Sequence, residues 1–181
     1  MSGTERLSEA VIIFDLDGTL VDSAPDLAAA MNHVLALEGH APLDLAEVRG
    51  LVGNGARAML ERGFAAHGRP ELAHAEMERH IDSFVAHYRA HIADLSRPVE
   101  GGADTLATLQ DAGARLAVCT NKREDLAYPL LEAVNLLEFF DVVICRDTLP
   151  VFKPAPEPLH ACLERPGTSR GVMIGDTMTD L

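Results

Sequence analysis

The sequence has no long apolar run. None of its apolar stretches approaches the roughly 20 residues that a membrane-spanning helix needs. Segment 1–10 is polar, and the first apolar run, Val11–Phe14, is too short for the hydrophobic region of a secretory signal. We therefore expect a cytoplasmic protein with no membrane partner.

Basic residues are also scarce. The chain has 15 Lys and Arg against 28 Asp and Glu, which gives a net charge of −13. A nucleic-acid-binding surface needs a basic patch, so this charge argues against nucleic acid as a partner. An anionic small molecule would be repelled as well, unless a metal ion or a local basic group reversed the field at its binding site.

Only three cysteines are present, Cys119, Cys145 and Cys162. An odd number without metal-ligand spacing predicts reduced thiols. Cys119 and Cys145 each end an apolar run, which favours buried structural thiols over reactive ones.

Short apolar runs alternate with helical patterns over much of the chain. The runs are nearly continuous, as expected for strands that are covered on both faces. Such alternation predicts an α/β fold with a parallel sheet. The predicted strands are Val11–Phe14, Leu116–Cys119, Val142–Cys145 and Val172–Ile174. The helices predicted between the later runs are Ala103–Asp111, Glu124–Val134 and Pro156–Glu164.

One interval, 22–98, interrupts this alternation. It has no strand-like run and is rich in Ala, Leu, Glu, Arg and His. Gly and Pro divide it into helical segments. We predict a core domain formed by 1–21 and 99–181 and an inserted all-helical domain formed by 22–98. The helices predicted in the insertion are Pro25–Glu38, Leu45–Leu51, Ala56–His67 and Glu71–Ala93.

The residues that follow the predicted strands are candidates for a binding site, because ligands of open α/β sheets lie beyond the carboxyl ends of the strands. These residues include several acids, hydroxyls and lysines. They are Asp15, Asp17, Gly18 and Thr19 after the first strand; Thr120, Asn121 and Lys122 after the second; Lys153, beyond a loop, after the third; and Gly175, Asp176, Thr177 and Asp180 after the fourth.

The acids in this set predict a Mg²⁺ site. Two like charges 4 Å apart repel by about 4 kcal/mol at an effective dielectric constant of 20, so a cluster of carboxylates needs a cation. Mg²⁺ fits a small number of protein oxygens combined with water and a substrate phosphate. The predicted ligands are Asp15, Asp17, Asp176 and Asp180.

The same residues support a phosphoryl-transfer mechanism. Asp15 is the candidate nucleophile, and Asp17 is the candidate proton donor and acceptor. Gly18 and Thr19 would bring backbone and hydroxyl groups to the phosphate. Thr120, Asn121 and Lys153 are the other predicted phosphate-binding residues, and Thr120 and Lys153 would also stabilise the transition state. Each of these short patterns alone also fits an ordinary turn.

Taken in order, the motifs resemble those of the haloacid dehalogenase superfamily. The matching segments are Asp15–Ser23, Thr120–Lys122, Lys153–Pro158 and Gly175–Asp180. This resemblance implies a Rossmann-like core, Mg²⁺ and an aspartyl-phosphate on Asp15. It also implies a small helical cap domain that closes over the site. The acid at Asp17 favours a phosphatase, because the dehalogenase branch lacks an acid there.

Within the insertion, Arg49–Arg57 is similar to the cap segment of bacterial phosphoglycolate phosphatases. The resemblance implies hydrolysis of 2-phosphoglycolate to glycolate and phosphate, with Gly53, Asn54, Gly55 and Arg57 contributing to specificity. The glycines and Asn54 fit a plain interhelical turn equally well. Another small phosphate is an open alternative, such as pyrophosphate or the sugar phosphate of a mutase.

Members of this superfamily continue past the last motif, whereas this chain stops at Leu181. We therefore expect the C-terminal part of the core to be missing. A non-catalytic phosphate-binding or interaction protein is the corresponding alternative. The expected partner is a small phosphorylated metabolite, and the chain is expected to be a monomer or a homodimer.

Overall fold

The computed structural model describes residues 10–53, 55–164 and 170–180. The chain divides into two compact units, one formed by Met1–Asp22 with Arg97–Leu181 and the other by Ser23–Ser96. We call the first the core unit and the second the helical unit.

The core unit contains a four-stranded parallel sheet. Its strands are β1 (Val11–Phe14), β4 (Arg115–Cys119), β5 (Val142–Ile144) and β6 (Gly171–Ile174), in the order β5-β4-β1-β6. All four residues of β1 are buried, as its continuous apolar run predicts. Phe14 pairs with Val118 and with Ile174, so the carboxyl ends of the three strands lie side by side.

Helices connect these strands, which confirms the predicted α/β class. They are α5 (Gly102–Asp111), α6 (Glu124–Ala133) and α7 (Glu157–Glu164). The apolar residues of α7 pack against the buried centre of the sheet: Cys162 is fully buried there, and Leu159 and Leu163 are partly buried. Two short 3₁₀ helices, Leu137–Phe139 and Met178–Asp180, complete the unit in the described part of the chain. The strand β6 lies at the edge of the sheet, where Val172 and Ile174 are exposed.

A second, two-stranded sheet joins the two ends of the core segments that flank the insertion. Its strands are β2 (Val21–Asp22) and β3 (Arg97–Pro98), which pair antiparallel. Two residues are too few to produce a hydrophobic pattern, so neither strand was predicted. Because of this pairing, the division of the chain falls after Asp22 and before Arg97, rather than after Val21 and before Val99.

The helical unit consists of α1 (Ala24–Leu37), α2 (Leu45–Arg49), α3 (Gly55–Ala66) and α4 (His74–Ala90). Its interior includes Met31, Leu35, Leu60, Phe64 and Tyr88, all nearly inaccessible to solvent. Among the described residues, no helix combines the length and apolar character needed to cross a membrane.

The ends of the helical unit are joined by the buried carboxylate of Asp26 in α1. It accepts hydrogen bonds from the backbone N–H groups of Leu95 and Ser96 and from the Ser96 hydroxyl, with the two Ser96 bonds at 2.7 and 2.6 Å. A buried carboxylate needs such donors, because an unpaired charge would be costly.

Candidate active site

The loop after β1 places Asp15 and Asp17 at the carboxyl edge of the sheet. The Asp15 N–H donates to the Ile174 carbonyl at 2.9 Å, which extends the pairing of β1 and β6 by one residue. The chain then turns tightly, because the Leu20 and Val21 N–H groups both donate to the Leu16 carbonyl at 3.0 Å. Both carboxylates therefore lie on a turn closed by backbone hydrogen bonds, and Asp15 is only 4% exposed.

The two oxygens of the Asp15 carboxylate have different environments. Oδ1 accepts a hydrogen bond from the Leu16 N–H at 2.8 Å and lies 2.9 Å from Lys153 Nζ. Oδ2 has no hydrogen bond or ion pair with any residue that the structure describes. One oxygen is thus anchored while the other is available to a ligand.

Burial raises the pKa of Asp15 from 3.8 to about 6, since desolvation disfavours its charge. Lys153 opposes this shift, whereas the negative charges of Asp17 and Asp180 add to it. The carboxylate is ionised at neutral pH, but at a cost in free energy that a bound cation would offset.

Lys153 provides the positive charge at the centre of the site. It is 2% exposed, and its Nζ donates to Asp180 Oδ1 at 2.6 Å in addition to its contact with Asp15. Burial alone would lower the pKa of Lys153, but Asp15 and Asp180 outweigh it and raise the pKa. The side chain therefore stays an ammonium ion. Asn121 donates from Nδ2 to the Lys153 carbonyl at 3.0 Å, which fixes the backbone there.

Asp15, Asp176 and Asp180 form one of two clusters, among the described residues, that could hold a metal ion. One ligand oxygen from each of the three lies within 4.8 Å of the others. Asp180 Oδ2 accepts hydrogen bonds from the N–H and hydroxyl of Thr177 at 3.0 and 2.8 Å. Burial raises the pKa of Asp180, but the bonds from Lys153 and Thr177 outweigh it and lower the pKa overall.

Asp176 is exposed, and its Oδ1 accepts a hydrogen bond from Thr19 Oγ1 at 2.8 Å. Two glycines allow the cluster to form. Gly18 has a φ of +87°, and a β-carbon there would overlap the Asp176 carboxylate. A β-carbon on Gly175 would similarly overlap Asp180. The glycines are needed for close approach rather than only for turns.

The donor set fits Mg²⁺, because all three possible ligands are carboxylate oxygens and one of them is exposed. The charges fit as well. Four carboxylates, on Asp15, Asp17, Asp176 and Asp180, face two buried ammonium groups, so two negative charges remain, which one divalent cation would neutralise.

Asp17 is not part of that cluster, and its principal partner was not predicted. Lys122 Nζ donates to both oxygens of the Asp17 carboxylate, at 2.8 and 3.0 Å. Both side chains are at least nine-tenths buried. The sequence signal was a lysine three residues after the end of a buried strand, but the direction of its side chain cannot be read from the pattern. The proposed roles of Asp17 as proton donor and metal ligand remain predictions.

Thr120 follows β4 directly, at the carboxyl edge of the sheet where Asp15 follows β1. It is 3% exposed, and its Oγ1 accepts a hydrogen bond from the Lys122 N–H at 3.1 Å. The hydroxyl proton has no acceptor among the residues described. The side chain can therefore donate to a phosphate oxygen.

The predicted specificity residues lie in the helical unit. Gly53 and Gly55 both have positive φ, +88° and +82°, and Gly55 begins α3. The Arg57 guanidinium is ion-paired with Glu78. Asn54 lies outside the described residues, as does Leu181. The contribution of this segment to specificity stays a prediction.

Comparison with known proteins identifies the family. The sequence profile described as "Haloacid dehalogenase-like hydrolase" matches residues 12–181. A protein of Caulobacter vibrioides named phosphoglycolate phosphatase is 49% identical, over 99% of this chain and 76% of that protein. One from Agrobacterium fabrum with the same name is 42% identical, over 98% and 77%. The crystal structure of a predicted phosphoglycolate phosphatase from Haemophilus somnus superposes with a TM-score of 0.87 at 30% identity, over 96% and 79% of the two chains.

Proposed function

Since this chain belongs to the haloacid dehalogenase-like hydrolase family and is a phosphoric monoester hydrolase, we propose that it hydrolyses 2-phosphoglycolate to glycolate and phosphate through an aspartyl-phosphate. The observation that carries the chemistry is the meeting of Asp15, Lys153, Asp176 and Asp180 at the carboxyl edge of the sheet. The names of the relatives support the choice of substrate.

In the first step, a carboxylate oxygen of Asp15 attacks phosphorus, and the bond from phosphorus to the glycolate oxygen breaks. Asp17, in its protonated form when substrate is bound, donates this proton to the leaving oxygen. In the second step, water attacks the phosphorus of the aspartyl-phosphate and Asp17 takes up its proton. The bond from phosphorus to Asp15 then breaks, which releases inorganic phosphate and restores both carboxyl groups.

The residues around Asp15 bind and orient the phosphate. The Thr120 hydroxyl and the third N–H of Lys153, which its two carboxylate partners leave unused, donate to the peripheral phosphate oxygens. Asp15, Asp176 and Asp180 would hold Mg²⁺, which supplies positive charge to the phosphate and to the transition state. Lys122 keeps the Asp17 carboxylate in place.

The helical unit would supply selectivity for the glycolate portion, through Gly53, Asn54, Gly55 and Arg57. Arg57 is the residue of this group that can pair with the glycolate carboxylate, because a guanidinium binds a carboxylate through two parallel hydrogen bonds. Arg57 would lose little free energy on leaving Glu78 for the substrate, because the side chains of Arg57 and Glu78 are both about half exposed.

The test is a Mg²⁺-dependent assay with 2-phosphoglycolate, 2-phospholactate, pyrophosphate and a hexose phosphate. 2-Phospholactate adds one methyl group, so a fitted pocket should discriminate by roughly tenfold or more. We expect the highest kcat/KM for 2-phosphoglycolate. A higher kcat/KM for pyrophosphate or the hexose phosphate would rule out 2-phosphoglycolate as the preferred substrate. It would not contradict the proposed phosphatase mechanism.

Two variants separate binding from chemistry. Arg57→Gln should raise KM for 2-phosphoglycolate with little change in kcat. Arg79→Gln is the matched control on α4, because Arg79 is exposed and donates to the Ala75 carbonyl of its own helix. Equal effects of the two substitutions would contradict the role of Arg57. Phosphate binding without turnover of any substrate would instead favour a non-catalytic protein. A cytoplasmic location and a monomeric or homodimeric state remain predictions.

A further inference from the structure

A second cluster of potential metal ligands lies within the helical unit. Glu38 caps the carboxyl end of α1, and Glu76 and His80 lie one turn apart on α4. Residues four apart share one face of a helix, so Glu76 and His80 point in the same direction. One ligand atom from each of the three residues lies within 4.8 Å of the others.

His80 distinguishes this cluster from an ordinary acidic surface. The residue is 6% exposed, and its Nε2 has no hydrogen-bond partner among the residues that the structure describes. That atom lies 3.9 Å from Glu38 Oε1 and 3.8 Å from Glu76 Oε1. The buried ring of Phe64 packs against the imidazole, with the ring centroids 4.8 Å apart. A buried polar atom without a hydrogen-bond partner costs free energy. A metal ion bound between Nε2 and the two carboxylates would account for the position of this atom.

We propose that Glu38, Glu76 and His80 bind a divalent first-row transition-metal ion, with Zn²⁺ as the best-matched cation. One imidazole nitrogen and two carboxylate oxygens form a mixed donor set that Zn²⁺ accepts readily. Mg²⁺ prefers oxygen ligands alone, which makes it a poor competitor here. The site is distinct from the all-carboxylate cluster of the core unit in both ligand chemistry and position along the chain.

Arg69 is the competing cation. Its Nη2 donates to Glu76 Oε1 at 2.6 Å, and its Nη1 donates to Glu38 Oε2 at 3.5 Å. Arg69 therefore binds Oε1 of Glu76, which faces His80. Its contact with Glu38 is through Oε2 and not through Oε1, the Glu38 oxygen that faces His80. Metal binding requires Arg69 to release Glu76, while its contact with Glu38 Oε2 can persist. The Arg69 side chain is about one-third exposed, so the guanidinium can move into solvent.

Coordination would connect the end of α1 to α4 and so stabilise the helical unit. A structural role is expected, with no group transfer at this site.

The test is calorimetric titration of the full chain, stripped of metal with a chelator, with Zn²⁺ in excess Mg²⁺. We expect a Zn²⁺-binding transition that His80→Gln weakens at least tenfold, because even the loss of an outer-shell partner typically costs about 10–100-fold in affinity. His74→Gln is the matched control. His74 lies on the same helix, 3.8 Å from Glu78 and four residues before it, but is exposed. This control should bind Zn²⁺ as the unmodified chain does.

Arg69→Gln tests the proposal without altering a ligand. Removing the competing cation should tighten Zn²⁺ binding several-fold, whereas a purely structural ion-pair network gives no such gain. Equal Zn²⁺ affinity in the unmodified chain and His80→Gln, both folded by circular dichroism, would overturn the site. If His80→Gln fails to fold, the Arg69→Gln result decides, and unchanged or weaker Zn²⁺ binding there would overturn the proposal.

Discussion

Replacing the nucleophile should make the metal-free chain more stable while it abolishes turnover. Asp15 has a pKa of about 6 in the folded chain and 3.8 as its reference value. For an acid whose pKa is raised on folding, the stabilising contribution is complete below pH 3.8 and is lost as the pH rises through 6. At neutral pH and above, the ionised Asp15 carboxylate therefore destabilises the fold.

The size of the expected stabilisation follows from the change in the pKa of Asp15 on folding. About 2.2 pKa units at 1.36 kcal/mol each give about 3 kcal/mol, which is an upper bound because local relaxation lowers the cost of a buried charge. Asn cannot ionise, and its amide oxygen can still accept the hydrogen bond from the Leu16 N–H. We therefore expect Asp15→Asn to raise the free energy of unfolding by up to about 3 kcal/mol at about pH 8, and by little near pH 4.

The assay is urea denaturation of chelator-treated Asp15→Asn and unmodified chains at several pH values. Asp82→Asn is the control, because Asp82 is an exposed acid on α4 of the helical unit. Added Mg²⁺ should stabilise the unmodified chain more than Asp15→Asn. The difference between their free energies of unfolding should therefore become smaller. A metal-free unmodified chain as stable as Asp15→Asn at about pH 8, or a difference independent of pH, would refute the reasoning.

Three further substitutions test the site. Gly18→Ala should weaken Mg²⁺ activation at least tenfold in a kinetic Mg²⁺ titration, because the new β-carbon overlaps Asp176; unchanged activation would contradict the close approach. Lys122→Met should lower the free energy of unfolding by about 3–5 kcal/mol in urea, since it removes the ammonium group that pairs with the buried Asp17 carboxylate, and the double variant Lys122→Met/Asp17→Asn should recover part of the loss. Thr120→Val should reduce kcat/KM about 100-fold, while Thr120→Ser, which keeps the hydroxyl, stays near the unmodified value.

Much of the architecture and the approximate position of the site followed from the sequence. Buried parallel strands are nearly continuous apolar runs, and their carboxyl ends meet at one edge of the sheet. Asp15, Lys153, Asp176 and Asp180 could therefore be expected to converge before any coordinates were considered. The structure brings these four residues together.

Contacts that depend on side-chain direction could not be predicted. Lys122 follows a strand in the same way as many surface lysines, and only the fold shows that it reaches Asp17. The cluster of Glu38, Glu76 and His80 combines residues from two helices, whereas a sequence pattern shows only the spacing within one helix. The ribbon formed by β2 and β3 is too short to leave a periodic signal.

The covalent intermediate on Asp15 is the central claim, and rapid acid quenching tests it most directly. The chain would be mixed with 2-phosphoglycolate and Mg²⁺, quenched during turnover, digested and examined by mass spectrometry. We predict a phosphoryl group on the peptide that contains Asp15, and its absence from Asp15→Asn. Turnover with no phosphorylated peptide, or with the phosphoryl group on another residue, would contradict the account.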